Sequence, residues 1–359
     1  MHLKFKILSL LLLPLYVLAG KGDAEYKRSV IKEFKANSRT AIELSNKYGN
    51  IVIHTWDKQE VKATIVITGY GKDEGEAKTI ADMVEIVANE GSSFASLTTR
   101  YEPSSGKSWF SWGGRRDSKD YVNVNYDIYL PKQLARFSVD NSFGNVIADR
   151  LSFPTEMSLN YCFYDIKEAT SDLSLKLNYC QKGKLGKAAN VQLKANYSSM
   201  RSDDIASLDV KSNYCEYTIG NLGSLDVKSN YDEYNITRIG GINSQSNYSS
   251  FRLGELQRNA DVRLTYGDFK VKKVTDMMKS ASIDISYADV VMGIDAGANL
   301  RFDVQLSYGD VDTRGINFKS ISTEKKNTQM KFNAITGSGN GGQIRIRGSQ
   351  SNVEFRNIP

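Results

Sequence analysis

A short motif that returns every eighteen residues or so constrains this chain more than any other feature. The heptapeptide L-D-V-K-S-N-Y stands at residues 208–214 and again at 225–231. Shorter relatives end at Tyr161, Tyr179, Tyr197, Tyr248, Tyr266, Tyr287 and Tyr308, and Phe143 takes the same place. Successive anchors from Phe143 to Tyr308 are 18, 18, 18, 17, 17, 17, 18, 21 and 21 residues apart. A fixed period of this length marks a stacked array of one supersecondary unit.

Within a unit the pattern has period two. Leu208, Val210, Ser212 and Tyr214 share one face, while Asp209, Lys211 and Asn213 share the other. That is a strand with one buried side. Alternation resumes at Tyr217 and Ile219 with a break in parity, which places a corner at 215–216. Elsewhere Y-G-D or Y-A-D fills the corner, as at 266–268, 287–289 and 308–310. A unit this small cannot enclose a core alone. Stacked in parallel at ~4.8 Å per rung, its inward residues become columns, and nine steps make a rod of roughly 43 Å. On this parity Tyr179, Tyr197, Tyr214, Tyr231 and Tyr248 form one inward or edge-facing column, with Leu177, Ala195, Ser212, Ser229 and Ser246 beside it. Proline supports the reading: after Pro154 the only one is Pro359, and a solenoid needs its strand N–H groups for the neighbouring rung. The fold class is all-β, a single-stranded β-helix of 17–21-residue rungs over 141–359, behind a β-rich segment with one helix.

That N-terminal segment, 20–140, is less regular. Ile42, Leu44, residues 48–53 and residues 61–67 suggest an opening rung with longer strands. Asp73 and Glu76 form a capping box, and Ala77, Ile80, Ala81, Val84, Val87 and Ala88 give an apolar face, so a helix is expected over 73–89. A polar loop at 102–120 precedes strands at 122–130 and 137–139. Because a solenoid end exposes unpaired edges, the whole segment is expected to serve as its cap.

The motifs N-K-Y-G-N-I-V-I at 46–53, Y-D-I-Y-L-P at 126–131, N-S-F-G-N-V at 141–146 and the N-Y and S-Y-G-D units resemble those of the exported adhesin-type β-helix proteins of bacteria, the group with head and toastrack domains. The resemblance runs from about residue 27 to the end. It implies a right-handed single-stranded β-helix, a cell-envelope location and no catalysis.

Residues 1–19 read as a secretory signal peptide. Lys4 and Lys6 precede an apolar stretch over 7–18, and Val17 and Ala19 supply small residues before the cut. Its removal predicts an exported protein, in the periplasm or at the cell surface. No later run approaches the ~20 apolar residues of a membrane-spanning helix. Formal net charge is +6, spread among interspersed acids and bases, which argues against a nucleic-acid partner. With His2 gone, His54 is the single histidine, so His-based triads and His-rich zinc sites are excluded. No cofactor is called for.

Several columns are candidate sites. Asn160, Asn178, Asn196, Asn213, Asn230 and Asn247 precede the anchors and suit an amide ladder, or else a flat ligand strip. Glu216 and Glu233, then Asp268, Asp289 and Asp310, follow the anchors by two residues. Turn chemistry selects such acids, and a calcium site at the three aspartates is the alternative. Lys176, Lys194, Lys211 and Lys228, with Arg263, form a cationic column that suits either a solvated mixed-charge face, with Asp209 and Asp226 close by, or an anionic polysaccharide. Cys162 and Cys180 stand one rung apart, either bonded or free, with Cys215 two rungs on. The loop also holds Trp109, Phe110, Trp112, Arg115 and Arg116, a composition typical of binding hot spots and sugar platforms, or of a lid over an open edge. The expected function is non-enzymatic: adhesion, display or sensing at the envelope, with a glycan or protein as partner. The rival is a carbohydrate-active β-helix enzyme, a lyase or glycosidase, acting on acidic polysaccharide.

Overall fold

The computed structural model describes residues 24–101 and 121–358. Among them there is one helix, and every strand joins a single continuous network of pairings. The centre is the solenoid that the period predicts. Residues 208–213 pair in parallel and in register with 225–230 above and 191–196 below. The second strand of each rung does the same, with Tyr217 on Tyr234 and Ile219 on Ile236. Inward columns such as Leu173, Val191, Leu208, Leu225 and Ile242 are buried. Each such side chain contributes about 1.5–3 kcal/mol by leaving water, which is what holds rungs too small to fold singly.

The stacking order departs from chain order at both ends. The strands Ala41–Asn46 and Ile51–Trp56 do form an opening rung, paired in parallel beneath Arg136–Ser142 and Asn145–Leu151. Their other edges pair with Phe94–Tyr101 and Tyr121–Pro131, which come later in the chain. The first rung is thus enclosed between two later ones. The C-terminal end repeats the device. Strands Gln343–Ser349 and Val353–Ile358 lie between Ser280–Asp295 on one side and Arg301–Ser307 with Val311–Arg314 on the other. Tyr308 is therefore not the neighbour of Tyr287, as even spacing implied. Gln350 occupies the position between them.

Antiparallel strands close both ends. Glu60–Gly71 pairs with Ala24–Lys35 and with Tyr121–Pro131, so residues 61–67 belong to this closing sheet rather than to the opening rung. At the other end Gln329–Ile335 joins Arg301–Ser307 to Ser320–Lys326. That last strand is exposed throughout and carries Glu324, Lys325 and Lys326, charges that discourage edge-to-edge pairing. The domain boundary expected at 140/141 falls inside Arg136–Ser142, which continues the solenoid begun at Ala41.

The helix is Glu74–Asp82, shorter than the 73–89 expected. Asp73 caps it by accepting from the Glu76 N–H at 2.9 Å. Beyond Met83 the chain becomes the strand Val84–Glu90, paired with Phe94–Tyr101. Val84, Ile86 and Val87 are β-branched, and such side chains favour the strand once an edge is available. Arg28 fixes the helix end by donating to the carbonyls of Ala81 and Val84. The helix lies so close to the sheet that a Cβ on Gly69 would stand 2.1 Å from the Ala77 carbonyl oxygen.

Candidate functional site

The feature that organises the surface is the anchor column, and of the inward and edge-facing placements expected, its geometry is the edge-facing one. Phe143, Tyr161, Tyr179, Tyr197, Tyr214, Tyr231, Tyr248, Tyr266, Tyr287 and Tyr308 all have φ between 49° and 58°. Left-handed backbone costs an L-residue roughly 1–2 kcal/mol, and bulky side chains seldom adopt it. The turn it makes reverses parity at the anchor itself. The tyrosine ring points outward, and the residue after it points into the core. Cys162, Cys180, Ser198, Cys215, Asp232, Ser249 and Ala288 occupy that inner place and are all buried. Their small size is the sequence signal for this corner.

Two interactions offset the strain. From Phe143 to Tyr231 each corner N–H has a partner in the next rung: Tyr161 donates to the Asn178 carbonyl at 2.9 Å and Tyr214 to that of Asn230 at 3.0 Å. The rings then stack. From Phe143 to Tyr287 successive centroids lie 4.7–5.2 Å apart with planes within 14°. Contacts of this kind contribute about 0.5–1.5 kcal/mol each. Towards the N-terminal end, Tyr48 continues the column on Phe143, and Tyr101 packs edge-on against Tyr48. The tyrosines from Tyr161 to Tyr287 remain 40–51% exposed. Because their faces cover one another, they present edges and hydroxyls to solvent as one unbroken stripe.

On one flank of the stripe runs the asparagine column. Asn178 donates to Asn160, Asn213 to Asn196, Asn230 to Asn213 and Asn247 to Asn230, at 3.0–3.1 Å. These amides spend their hydrogen bonds along the axis, as the ladder reading has it. Beyond them Lys176, Lys194, Lys211 and Lys228 occupy one register. Lys176 pairs with Glu156. Lys194, Lys211, Lys228 and Arg263 form no ion pair among the described residues.

On the other flank stand the carboxylates. Glu216 and Glu233 are register partners, as are Asp268 and Asp289. Asp310 is not the neighbour of Asp289, because the intercalated C-terminal rung places Asn352 between them. The Asn352 N–H donates to Asp289 at 2.9 Å, and its Oδ1 accepts from the Asp310 N–H at 3.3 Å. Asp268 lies 3.2 Å from Lys270, and Asp310 2.5 Å from Lys325. The three candidate calcium ligands are therefore not assembled, and no cluster of three or more His, Cys, Asp or Glu suited to a metal occurs among the described residues.

Behind the stripe the inner column carries chemistry that the sequence reading passed over. Asp232 is 3% exposed. Its carboxylate accepts from the Cys215 N–H at 2.8 Å, from the Ser212 hydroxyl and from the Tyr234 hydroxyl at 3.2 Å. Burial still dominates and pushes its pKa up to about 6. Ser229, Ser244, Ser246 and Ser249 extend the network through the next rungs. The three cysteines are free and buried, so Cys162 and Cys180 are not bridged. Burial raises all three thiols, Cys180 to about 11, which leaves them poor nucleophiles. His54 stacks on Tyr129 and lies at the surface between two carboxylates, 3.2 Å from Asp127 and 3.7 Å from Asp149.

Trp109, Phe110, Trp112, Arg115 and Arg116 lie outside the described residues, as do residues 1–19, where a signal peptide is expected. The chain leaves the solenoid for 102–120 at Tyr101, in the anchor column, and returns at Tyr121. Among the described residues no helix is long and apolar enough to cross a membrane.

A family model described as Toastrack DUF4097 matches residues 39–341. Among solved structures, one described as a "putative adhesin" from Parabacteroides distasonis is 13% identical, with 91% of this chain and 97% of that one covered and a TM-score of 0.32. Another described as a "putative adhesin", from Parabacteroides merdae, is 13% identical over 91% and 96% of the two chains, with a TM-score of 0.31. A "putative cell adhesion protein" from Clostridium sporogenes is 10% identical over 93% and 100%, with a TM-score of 0.21. No curated protein matches the chain.

Proposed function

Since the chain belongs to the Toastrack DUF4097 family, we propose that it is an exported, non-enzymatic solenoid that works by binding at the bacterial cell envelope. Adhesion, display or sensing in the periplasm or at the cell surface all fall within this role, with a glycan or a protein as partner. The observation that carries the reading is the half-exposed aromatic stripe. Leaving apolar surface in water costs ~25 cal/mol per Å², and a contiguous exposed patch generally marks a surface that becomes covered. The rungs repeat a strained corner to present it, although Gln350 adopts positive φ at the same place without an aromatic ring.

The second contact surface in this reading is the insertion at 102–120, through Trp109, Phe110, Trp112, Arg115 and Arg116. It leaves the fold at the N-terminal end of the stripe, where aromatic and guanidinium groups suit a binding hot spot. The test combines cell fractionation with glycan-array and pull-down binding of the Trp109→Ala, Trp112→Ala double variant. The reading expects an envelope or medium fraction, unchanged melting temperature and lost binding. Binding intact together with a large fall in melting temperature would make the insertion a lid and overturn this assignment.

A further inference from the structure

We propose that the aromatic stripe is the seam of a parallel two-fold dimer, so that its partner is a second copy of this chain. This rests on the reading of the stripe as a binding surface and names what covers it. The first argument is area. An aromatic side chain offers on the order of 150–250 Å², and the nine rings from Phe143 to Tyr287 are 40–51% exposed. The stripe therefore presents on the order of 600–1,000 Å², close to the ~800 Å² per partner of a stable interface.

The second argument is charge, and it selects the orientation. The cationic column lies on one flank of the stripe and the acidic column on the other. Two copies can face each other about a two-fold axis along the solenoid or across it. An axis across the solenoid keeps each flank on its own side, so lysines meet lysines or Arg263, and like charges oppose. An axis along the solenoid exchanges the flanks and sets every rung against its own copy. Lys211 then faces Glu216, Lys228 faces Glu233 and Arg263 faces Asp268, each of opposite charge and each in the same rung. Outside this section two rungs set like charges together, Lys176 with Lys182 and Asp284 with Asp289, and the others set no charged pair, so the attraction is central. Lys211, Lys228, Arg263 and Glu216 have no ion-pair partner within the chain among the described residues, and a facing copy supplies one. Glu233 pairs with Arg252 and Asp268 with Lys270, contacts on the side away from the stripe. A closed two-fold seam of this kind is self-complementary and does not propagate into fibres. The parallel arrangement also brings both copies of Tyr101, where the insertion leaves the fold, to the same end.

Sedimentation equilibrium of the mature chain tests this directly. The expected result is a dimer at tens of micromolar that weakens with salt. Tyr214→Asn with Tyr231→Asn keeps residues tolerant of left-handed backbone and should weaken the dimer at least tenfold, with unchanged circular dichroism. Lys211→Glu with Lys228→Glu should do the same, and adding Glu216→Lys with Glu233→Lys should restore it. A single cysteine at Tyr161→Cys or at Tyr287→Cys should cross-link to its own copy through a short bis-maleimide. Self-cross-linking at neither end of a chain that is dimeric would show the wrong orientation and overturn the proposal. So would a wild-type monomer, including one whose lysine column binds a sulfated or uronic polysaccharide instead. A monomer that still binds through the insertion would sink the seam alone. A dimer that binds no envelope component would sink the functional reading alone.

Discussion

Asp232 offers a test of the inner column that needs no partner. It is the acid in a place otherwise filled by Cys, Ser, Ala or Gly, and it is 3% exposed. In the folded chain its pKa rises from 3.8 to about 6, with burial as the main cause. At 1.36 kcal/mol per unit, that is roughly 3 kcal/mol of differential stability between protonated and ionised forms. The raised value fixes the sign. Below pH 4 both folded and unfolded chains hold the proton, and nothing is lost. Between pH 4 and 6 the unfolded chain releases it while the folded chain keeps it, so stability falls as pH rises. Above pH 6 the full cost is present. Asp232→Asn removes the charge and keeps the shape. Its Oδ1 still accepts from the Cys215 N–H, and its amide can donate to the Ser212 and Tyr234 hydroxyls, which rotate to accept. The variant should therefore gain about 2–3 kcal/mol over wild type at pH 7.5 and little at pH 4. Urea unfolding of both proteins at half-unit pH steps, read as the difference between them, isolates this residue from other titrating groups. A variant less stable than wild type at pH 7.5, or a difference that does not change between pH 4 and 6.5, would refute the argument. It would mean that the three donors outweigh burial.

Other expectations follow from the corner, the core, the ends and the thiols. Tyr214→Ala loses two ring contacts and keeps the left-handed strain, for a cost of about 1–3 kcal/mol; Tyr214→Gly relieves the strain and should be about 1 kcal/mol more stable than the alanine variant in thermal unfolding. Val210 is fully buried between rungs, so Val210→Asp should destabilise by more than about 3 kcal/mol in urea titration, because it places an unpaired charge there. Ile346 is fully buried in the intercalated rung; Ile346→Asp should strip hydrogen-exchange protection from 280–314 while central rungs near Tyr214 keep theirs, as nearest-neighbour stacking requires. The three thiols should be silent to a thiol reagent at pH 8 in the folded chain and all react once it is unfolded.

Period and parity made the solenoid legible in the sequence. The spacing of anchors, the alternation before each of them and the near absence of proline all report backbone pairing between rungs, which constrains every residue. What parity alone could not show was the direction of the tyrosines. Continuing the alternation from Leu208 through Ser212 sends Tyr214 inward, and only a left-handed residue breaks that sequence. The clue was the smallness of the following residue, since nothing larger than Cys or Asp fits behind the corner. The family resemblance captured the fold but carried no information on ring direction. The lysine and glutamate columns were visible as columns; that they flank one stripe depended on knowing that the rings point out. The helix was overextended because Val84 and Ala88 satisfy both periods, and the available edge at Phe94–Tyr101 decides between them.

The intercalated end rungs had no local signal, because pairing between segments distant in the chain is set by register and not by composition. In hindsight G-S-Q-S-N-V at 348–353 has the form of a corner, with Gln350 left-handed and Ser351 buried behind it. Their physical role follows from what limits a linear array. In a simple solenoid the last rung is held on one face only, so it frays first and leaves an edge open to other chains. Here both chain-terminal rungs are held on two faces. Removing the C-terminal one would break its pairings with 280–295 and with 301–314 together. The rung beyond it, Arg301–Ser307, is then tied down by the antiparallel Gln329–Ile335. Fraying at either end must break a contact that is distant in sequence, so the ends gain the cooperativity that nearest-neighbour stacking alone withholds from them. A long stripe of strained corners can then stay in register along its length.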